Sequence, residues 1–235
     1  MSYLEVRNLA GSIVLTDTFK NLQFIAKGET LIPAYQGNPA LAPEPVYLNV
    51  GTIKPIVAAR CADSNKAIAA SVMRHRSGSL WDGTYDIEFV STKGDTIVEY
   101  FIFNYTNNLP GTFFEIRNES GEVIFSDNMR SMKVVGQRTD SLSTTPSPGT
   151  ILSTMAHSDT TKVACVFGDI LCLEVSYPSG PLMRYNRVYS LCRFNGNSVD
   201  IVFLEIYSAQ LPGSFPFINI FKKNYNLLFV DVTGL

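Results

Sequence analysis

Short runs of alternating apolar and polar residues dominate the chain. The run from Thr84 to Val90 alternates strictly, and Lys93-Gly94-Asp95 supplies the next turn signal. Alternation with a period of two places apolar side chains on one face of a β-strand. No long stretch has the 3.6-residue period of an amphipathic helix. The pattern therefore predicts an all-β protein built from antiparallel strands.

One patterned segment occurs three times. The segment 4–17 returns as 114–127 with the Glu, Arg, Asn, Gly and Asp positions identical, and more loosely as 218–231. Each copy consists of two β-patterned runs around a polar turn, which is the sequence signature of a β-hairpin. The sequence thus predicts three repeated β-hairpins.

The turn residues of the first two copies have specific conformational roles. Asn8 and Asn118 can accept bonds from backbone amides ahead of them, and Gly11 and Gly121 can adopt the positive φ of a type I turn closed by a bulge. Tyr225 stands where the third glycine would be, so we expect a shifted turn in that copy.

The similarity extends beyond the hairpins. The paired segments are Gly51-Thr52-Ile53 with Gly149-Thr150-Ile151, 97–102 with 199–204, and 109–113 with 211–215. The simplest account is two tandem antiparallel units, each a β-sandwich or a small barrel. The first unit spans 1–109 and opens with the hairpin 4–17. The second spans 110–235 and contains the hairpins 114–127 and 218–231.

Composition restricts the possible partners. Apolar residues make up 46% of the chain, enough for an ordinary core. The formal net charge of −2 lacks the basic excess of a nucleic-acid binder or a polybasic membrane binder. Charged residues amount to 17%, below the roughly 25% of typical soluble domains. The low charge favours burial of surface against partner proteins.

The cysteines do not form a metal motif. Cys61, Cys165, Cys172 and Cys192 include no Cys-x-x-Cys pair, and the chain has two histidines. We therefore expect four buried free thiols, no structural zinc and no disulfide.

Catalytic motifs are also missing from the sequence. It has no phosphate-binding glycine loop and no nucleophile elbow. His75 lies between Arg74 and Arg76, which predicts a neutral imidazole with no local carboxylate to orient it. The run His157-Ser158-Asp159 cannot form a triad by itself, because neighbouring side chains of an extended chain point in opposite directions. We expect no catalytic residue and no cofactor.

One cluster suggests a ligand surface. Trp81, Asp82 and Tyr85 combine aromatic rings with a carboxylate, a combination that can bind a sugar. The alternative interpretation is an ordinary polar strand face that follows an Asp-Gly turn.

A proline-rich loop suggests an interface. The segment from Pro33 to Pro45 contains four prolines, and Tyr35 and Leu41 offer apolar anchors. Rigid φ angles reduce the entropy that the loop would lose on docking. The alternative interpretation is a solvated connection between strands.

The opening of the chain resembles a known family. The pattern Leu-x-Val-x-Asn-x-x-Gly-x-Ile-Val-Leu-x-Asp, here Leu4 to Asp17, looks like the start of small tail-module proteins of lambda-like tailed bacteriophages. The resemblance implies a virion component near the tail tip or the fibre attachment, with no catalytic residue to transfer.

These observations lead to one expectation about function and one alternative. The first is a non-enzymatic structural protein of a phage tail that contacts other virion proteins as a homo-oligomer or ring. The alternative is a β module that binds a host surface glycan or receptor. With no signal peptide and no apolar stretch of spanning length, we expect synthesis in the host cytoplasm and no membrane insertion.

Overall fold

Eighteen β-strands account for most of the chain that the structure describes. The structure is a computed structural model, and it describes residues 5–7, 13–16, 22–34, 43, 45–77, 80–104, 110–117, 120–121, 123–141, 146–179, 182–212 and 217–235. Within these ranges there is no helix that is long and apolar enough to cross a membrane.

The strands divide into those before and those after residue 110. The first group comprises β1 (Glu5–Arg7), β2 (Ile13–Thr16), β3 (Gln23–Ile32), β4 (Val46–Asn49), β5 (Ile56–Arg60), β6 (Ala67–Ser77), β7 (Leu80–Ser91) and β8 (Thr96–Asn104). The second comprises β9 (Glu115–Arg117), β10 (Val123–Ser126), β11 (Lys133–Ser141), β12 (Ile151–Ala156), β13 (Val163–Asp169), β14 (Cys172–Ser179), β15 (Leu182–Asn195), β16 (Ser198–Pro212), β17 (Phe217–Lys222) and β18 (Asn224–Asp231). The prediction of an all-β protein is confirmed.

Two antiparallel sheets pack together as a β-sandwich. One is a six-stranded sheet in the order β11-β18-β13-β5-β8-β3. The other is an eight-stranded sheet in the order β12-β16-β15-β6-β7-β4, in which β14 also pairs with β15 and β17 pairs with β14. Two further hairpins, β1–β2 and β9–β10, form separate two-stranded sheets.

The two halves of the chain contribute to the sheets in mirrored order. Strands β3, β8 and β5 of the first half meet β11, β18 and β13 of the second, and the other sheet repeats the arrangement with β4, β7, β6 and β12, β16, β15. The halves join where Ala59 pairs with Cys165 and where Ile68 pairs with Cys192. The sheets are therefore continuous across the two halves.

The mirrored order identifies which strands correspond. Strand β7 corresponds to β16, and both carry an Asp-Ile-x-Phe sequence that begins at Asp86 and at Asp200. The two Gly-Thr-Ile segments, which the sequence paired, are not equivalent: Gly51 follows β4 and accepts a bond from the Tyr85 amide, whereas Gly149 precedes β12 and donates one to the Phe203 carbonyl. Both glycines have a positive φ, 81° and 94°.

Two further details of the expected repeat are wrong. The segment 218–231 is not a hairpin, because β17 pairs with β14, and β18 pairs with β11 and β13. The segments 97–102 and 199–204 are not equivalent, because β8 and β16 lie in different sheets. Similar runs of apolar residues recur in several strands of this protein, so the alignment matched the wrong pair.

The main core lies between the two sheets. It draws on both halves, and its largest fully buried side chains are Phe89, Phe203, Phe229, Ile87, Ile201 and Leu227. Each such side chain contributes roughly 1.5–3 kcal/mol relative to full exposure. Because the halves share this core, each stabilises the other.

The six-stranded sheet also buries its second face. Phe101, Phe103 and Val230 form a cluster there, with Leu22 and Met132 packed against it. The edges of the sheet meet at one end, where the Phe24 amide donates to the Arg130 carbonyl and the Met132 amide to the Leu22 carbonyl. This contact gives the sheet a partly closed, barrel-like end.

We predict that Asp231 stabilises the fold in a pH-dependent way. Burial opposes its ionisation, but bonds from Lys133 and Thr233 outweigh burial and lower its pKa from 3.8 to about 2. A depressed folded-state pKa gives stability that is present above the unfolded value and is lost as the pH falls through the folded value. Asp231→Asn should therefore cost roughly 1–2 kcal/mol at pH 7, after screening at the exposed Lys133 is allowed for.

The test is thermal unfolding of both proteins between pH 2 and pH 7. The difference between wild type and Asp231→Asn should shrink toward pH 2. Asp159→Asn is the control, since Asp159 is exposed. A difference that does not change with pH would contradict the assignment.

Candidate functional site

The hairpin formed by β6 and β7 carries a cluster of polar side chains around His75. The pairing of Met73 with Asp86 and of Arg74 with Tyr85 sets the register, and a bulge follows at His75. Successive residues of a strand face opposite sides, so Asp86 and Tyr85 lie on different faces of the hairpin. The two faces carry different chemistry.

The first face holds a histidine between two carboxylates. Nδ1 of His75 lies 2.6 Å from Oδ2 of Asp86, and Nε2 lies 3.6 Å from Oδ2 of Asp82. Asp86 is only 7% exposed, and its Oδ1 accepts a bond of 3.0 Å from the side-chain amide of Asn49 on β4. The imidazole is thus held in one orientation.

This arrangement corrects the sequence interpretation of His75. The hydrogen bond with Asp86, opposed by partial desolvation and supported by the charges of Asp86 and Asp82, raises the pKa of His75 above 6.5. The flanking arginines therefore do not set the direction of its pKa shift. The sequence interpretation considered only adjacent residues, whereas Asp86 reaches His75 through the register of β6 on β7.

The second face carries an aromatic platform. Trp81 is 48% exposed, and its ring contacts the Tyr85 ring edge to face at 6.1 Å between centroids. The Arg74 guanidinium lies 4.7 Å from the centre of the Trp81 ring. Nε1 of Trp81 donates to the Thr84 carbonyl at 2.9 Å. These contacts hold the indole in place while nearly half of its surface remains accessible.

Asp82 shapes the end of the hairpin. Its Oδ1 accepts bonds from the backbone amide and the hydroxyl of Thr84, at 2.9 and 2.8 Å, and these bonds lower its pKa. Gly83 between them has a φ of 90°, which favours glycine. The structure therefore brings Trp81 and Tyr85 into contact, but it directs Asp82 toward Thr84 and His75.

The polar face adjoins an open depression of about 600 Å³, which is lined by Tyr47, Met73, Arg74, His75, Arg76 and Asp86. The lining offers donors and acceptors together with an aromatic ring, which suits a polyhydroxylated or amide-bearing ligand. In the part of the chain that the structure describes, no group of three or more His, Cys, Asp or Glu residues could hold a metal ion.

Several positions that the sequence singled out lie beside or outside the residues that the structure describes. Of the proposed interface, Pro33 is exposed and Pro45 half-buried, whereas Tyr35 and Leu41 lie outside the described residues. The turn residues Asn8, Gly11 and Asn118 lie outside them as well. Gly121 has a φ of 79°, in the left-handed region that its predicted turn requires.

The other residues that the sequence analysis considered for chemistry are the run His157-Ser158-Asp159 and the four cysteines. The hydroxyl of Ser158 lies 3.0 Å from that of Thr160, and Nδ1 of His157 lies 3.0 Å from the Ser158 carbonyl. All four cysteines are free of disulfides, and all but the half-buried Cys172 are buried. Burial, with Cys192 as a neighbour, raises the pKa of the Cys165 thiol well above its usual value.

The hairpin β9–β10 presents a second surface, which the sequence interpretation did not single out. The Asp127 carboxylate accepts bonds from the Thr112 amide at 2.9 Å and the Phe113 amide at 3.0 Å. Burial opposes its ionisation, but these bonds outweigh burial and lower its pKa. A Cβ on Gly111 would lie 2.2 Å from the Phe114 carbonyl, so this turn requires glycine.

The turn displays two aromatic side chains. Phe113 is 94% exposed and Phe114 is 55% exposed. The repeated motif Leu-Pro-Gly-Thr-Phe, here 109–113, could have identified this surface, because the sequence ends on an aromatic residue just after a tight turn. For Asp86 the available signal was the Asp-Ile-x-Phe sequence shared with Asp200, whose carboxylate accepts bonds from Thr154, Arg193 and Asn195.

We predict that Asp86 controls the titration of His75. In Asp86→Asn the main hydrogen bond to a charged partner is lost, so the His75 pKa measured by NMR should fall relative to wild type. A raised folded-state pKa gives stability that is present below the unfolded value of 6.5 and is lost as the pH rises through the folded value. The hairpin should therefore be most stable below pH 6.5.

The control for this measurement is Asp159→Asn, which should leave the titration of His75 unchanged. An unchanged His75 pKa in Asp86→Asn would show that the short contact does not determine the ionisation of the imidazole.

No protein-family model matches the chain, and no curated protein and no solved structure matches it.

Proposed function

We propose that the protein is a non-enzymatic structural component of a bacteriophage tail, which assembles with other virion proteins near the tail tip or the fibre attachment. The observation that supports this proposal best is the β9–β10 hairpin. It pairs with no other described strand, and it displays Phe113 with 94% of its surface exposed.

The physical argument concerns stability. An isolated two-stranded hairpin is marginally stable in water, and a fully exposed phenylalanine adds nothing to it. Both become favourable when the hairpin docks on a neighbour that covers the ring. Asp127 and Gly111 hold the turn that presents Phe113, so the surface is organised before any partner binds.

The second hairpin is consistent with repeated assembly contacts. β1–β2 precedes β3 as β9–β10 precedes β11, and among the described strands it also pairs with neither large sheet. A subunit with two such hairpins can contact two neighbours, as a ring requires.

We predict that Phe113→Ser with Phe114→Ser weakens assembly and leaves the fold intact. The removed rings are exposed, so the melting temperature should change little. Self-association, measured by sedimentation over a range of concentrations, should fall at least roughly tenfold in affinity if both rings are buried in the contact.

Ile53→Ser is the matched control, because Ile53 is 58% exposed but lies outside the hairpins. A double variant that self-associates and enters particles like wild type would contradict the assembly role of this surface. The virion assignment itself is tested by antibody labelling of particles from the phage that encodes the chain. Particles without label at the tail would contradict it.

A second candidate function is the binding of a host surface glycan or receptor. The accessible Trp81 ring, braced by Tyr85 and Arg74, supports it, since sugars stack on such aromatic faces. The neighbouring depression with His75 and Asp86 offers hydrogen-bonding groups.

For this candidate we predict that Trp81→Ala removes binding on an array of bacterial surface glycans. Leu80→Ala is the control, because Leu80 is the exposed neighbour of Trp81 but takes no part in the aromatic contact. Equal glycan binding by both variants, or none by wild type, would exclude the Trp81 surface as a glycan site.

A further inference from the structure

Strand β6 separates from its neighbour β15 after a short pairing. Ala67 and Ile68 pair with Arg193 and Cys192, and the ladder ends there. Extension of the same register by two residues would pair Ala70 with Ser190, and a further two residues would pair Val72 with Val188. In the described chain β6 has no ladder partner on this edge beyond Ile68.

An insertion between the strands causes the separation. The Ser190 amide donates to the Leu171 carbonyl at 3.0 Å, and the Leu171 amide donates to the Ser190 hydroxyl at 3.0 Å. Strand β14 then follows from Cys172 and pairs with β15 from Tyr189 onward. Residues 171–179 therefore occupy the edge of β15 that β6 would otherwise cover.

Alternation along the strand shows which amide and carbonyl groups of β6 point away from β7. The Ala67 carbonyl accepts a bond from the Thr92 amide, and the Ala67 amide donates to the Thr92 hydroxyl, so Ala67 faces β7. Every second residue of a strand directs its amide and carbonyl to the same edge. Ala69 and Ser71 therefore also face β7, whereas Ala70 and Val72 direct theirs to the open edge.

A cavity lies along this edge. Its volume is about 580 Å³, and it is bounded by Ala69, Ala70, Ser71 and Val72 of β6. The opposite wall includes Val166, Phe167, Ile170, Cys172 and Tyr189. Burial is the main cause of the raised pKa of the Tyr189 phenol, and the nearby Cys172 adds to it. The hydroxyl therefore remains a neutral donor. Ala70 is only 3% exposed, so its outward polar groups lie in a mostly apolar slot.

From this arrangement we propose that the slot beside β6 binds an extended segment of another polypeptide, which adds to the eight-stranded sheet as a strand next to Ala70 and Val72. Amide and carbonyl groups spaced two residues apart on one edge recognise main chain. The apolar walls suit a segment with apolar side chains at alternate positions. The proposal goes beyond the assembly surface at Phe113 and does not depend on it.

The first test is amide hydrogen exchange of the protein alone, followed by NMR. Amides of Ala69 and Ser71, which bond to β7, should exchange slowly, and those of Ala70 and Val72 should exchange faster. Equal protection of all four would mean that the edge is already occupied within the chain, and it would overturn the proposal.

The second test selects binders from a displayed library of random decapeptides. Enriched sequences should alternate apolar and polar residues, and they should protect the Ala70 and Val72 amides from exchange. Val72→Pro removes the outward amide without breaking the ladder to β7, and it should weaken binding roughly tenfold or more. Val72→Ala keeps that amide and is the matched control.

Two further measurements test strand binding without relying on the folding of Val72→Pro. Ile170→Trp should fill the slot and abolish binding even if Val72→Pro does not fold. A selected peptide with alternate amides N-methylated should bind at least roughly tenfold more weakly, because its donors are removed. No enrichment, or equal binding of the N-methylated peptide, would show that the slot does not recognise a strand and would overturn the proposal.

Discussion

The pairing of β5 with β13 is the contact on which the rest of the structure depends. Ala59 pairs with Cys165 and Ala58 with Val166, and Ala58, Ala59 and Cys165 have no measurable exposure. Their small side chains let both faces of the six-stranded sheet be covered, one by the eight-stranded sheet and the other by the cluster around Phe103. Larger residues at this junction would push the covering layers apart, because protein interiors are close-packed.

The mirrored arrangement follows from that junction. Val57-Ala58-Ala59 in β5 matches Val163-Ala164-Cys165 in β13, and Ala59 pairs with its own counterpart Cys165. Neighbouring strands then fall into place on either side in reversed order. The two halves can be viewed as units in the chain, but they share one core and neither sheet ends between them.

Departures from the mirrored arrangement are where the surface acquires individual features. β14 and β17 have no counterpart among the described strands of the first half, and residues 171–179, which occupy the edge of β15, leave the edge of β6 open. The counterpart carboxylates also differ in their partners: Asp200 binds Arg193, whereas Asp86 binds His75. An arginine keeps its charge at all accessible pH values, whereas a histidine titrates, so of these two corresponding contacts only the one at Asp86 has a basic partner that titrates.

Local features of this protein were determined by the sequence itself. Alternation of apolar residues determined the all-β class, and the glycine at Gly121 determined a turn with positive φ, because these properties depend on a few adjacent residues. Only the tertiary structure decided that β18 pairs with β11 and β13 rather than with β17, and that Asp86 reaches His75. Backbone hydrogen bonds are the same for every residue type, so strand partners distant in sequence are selected by the packing of the whole core. The ionisation of His75 and the open edge of β6 follow from those partners, which is why neither could be predicted from neighbouring residues.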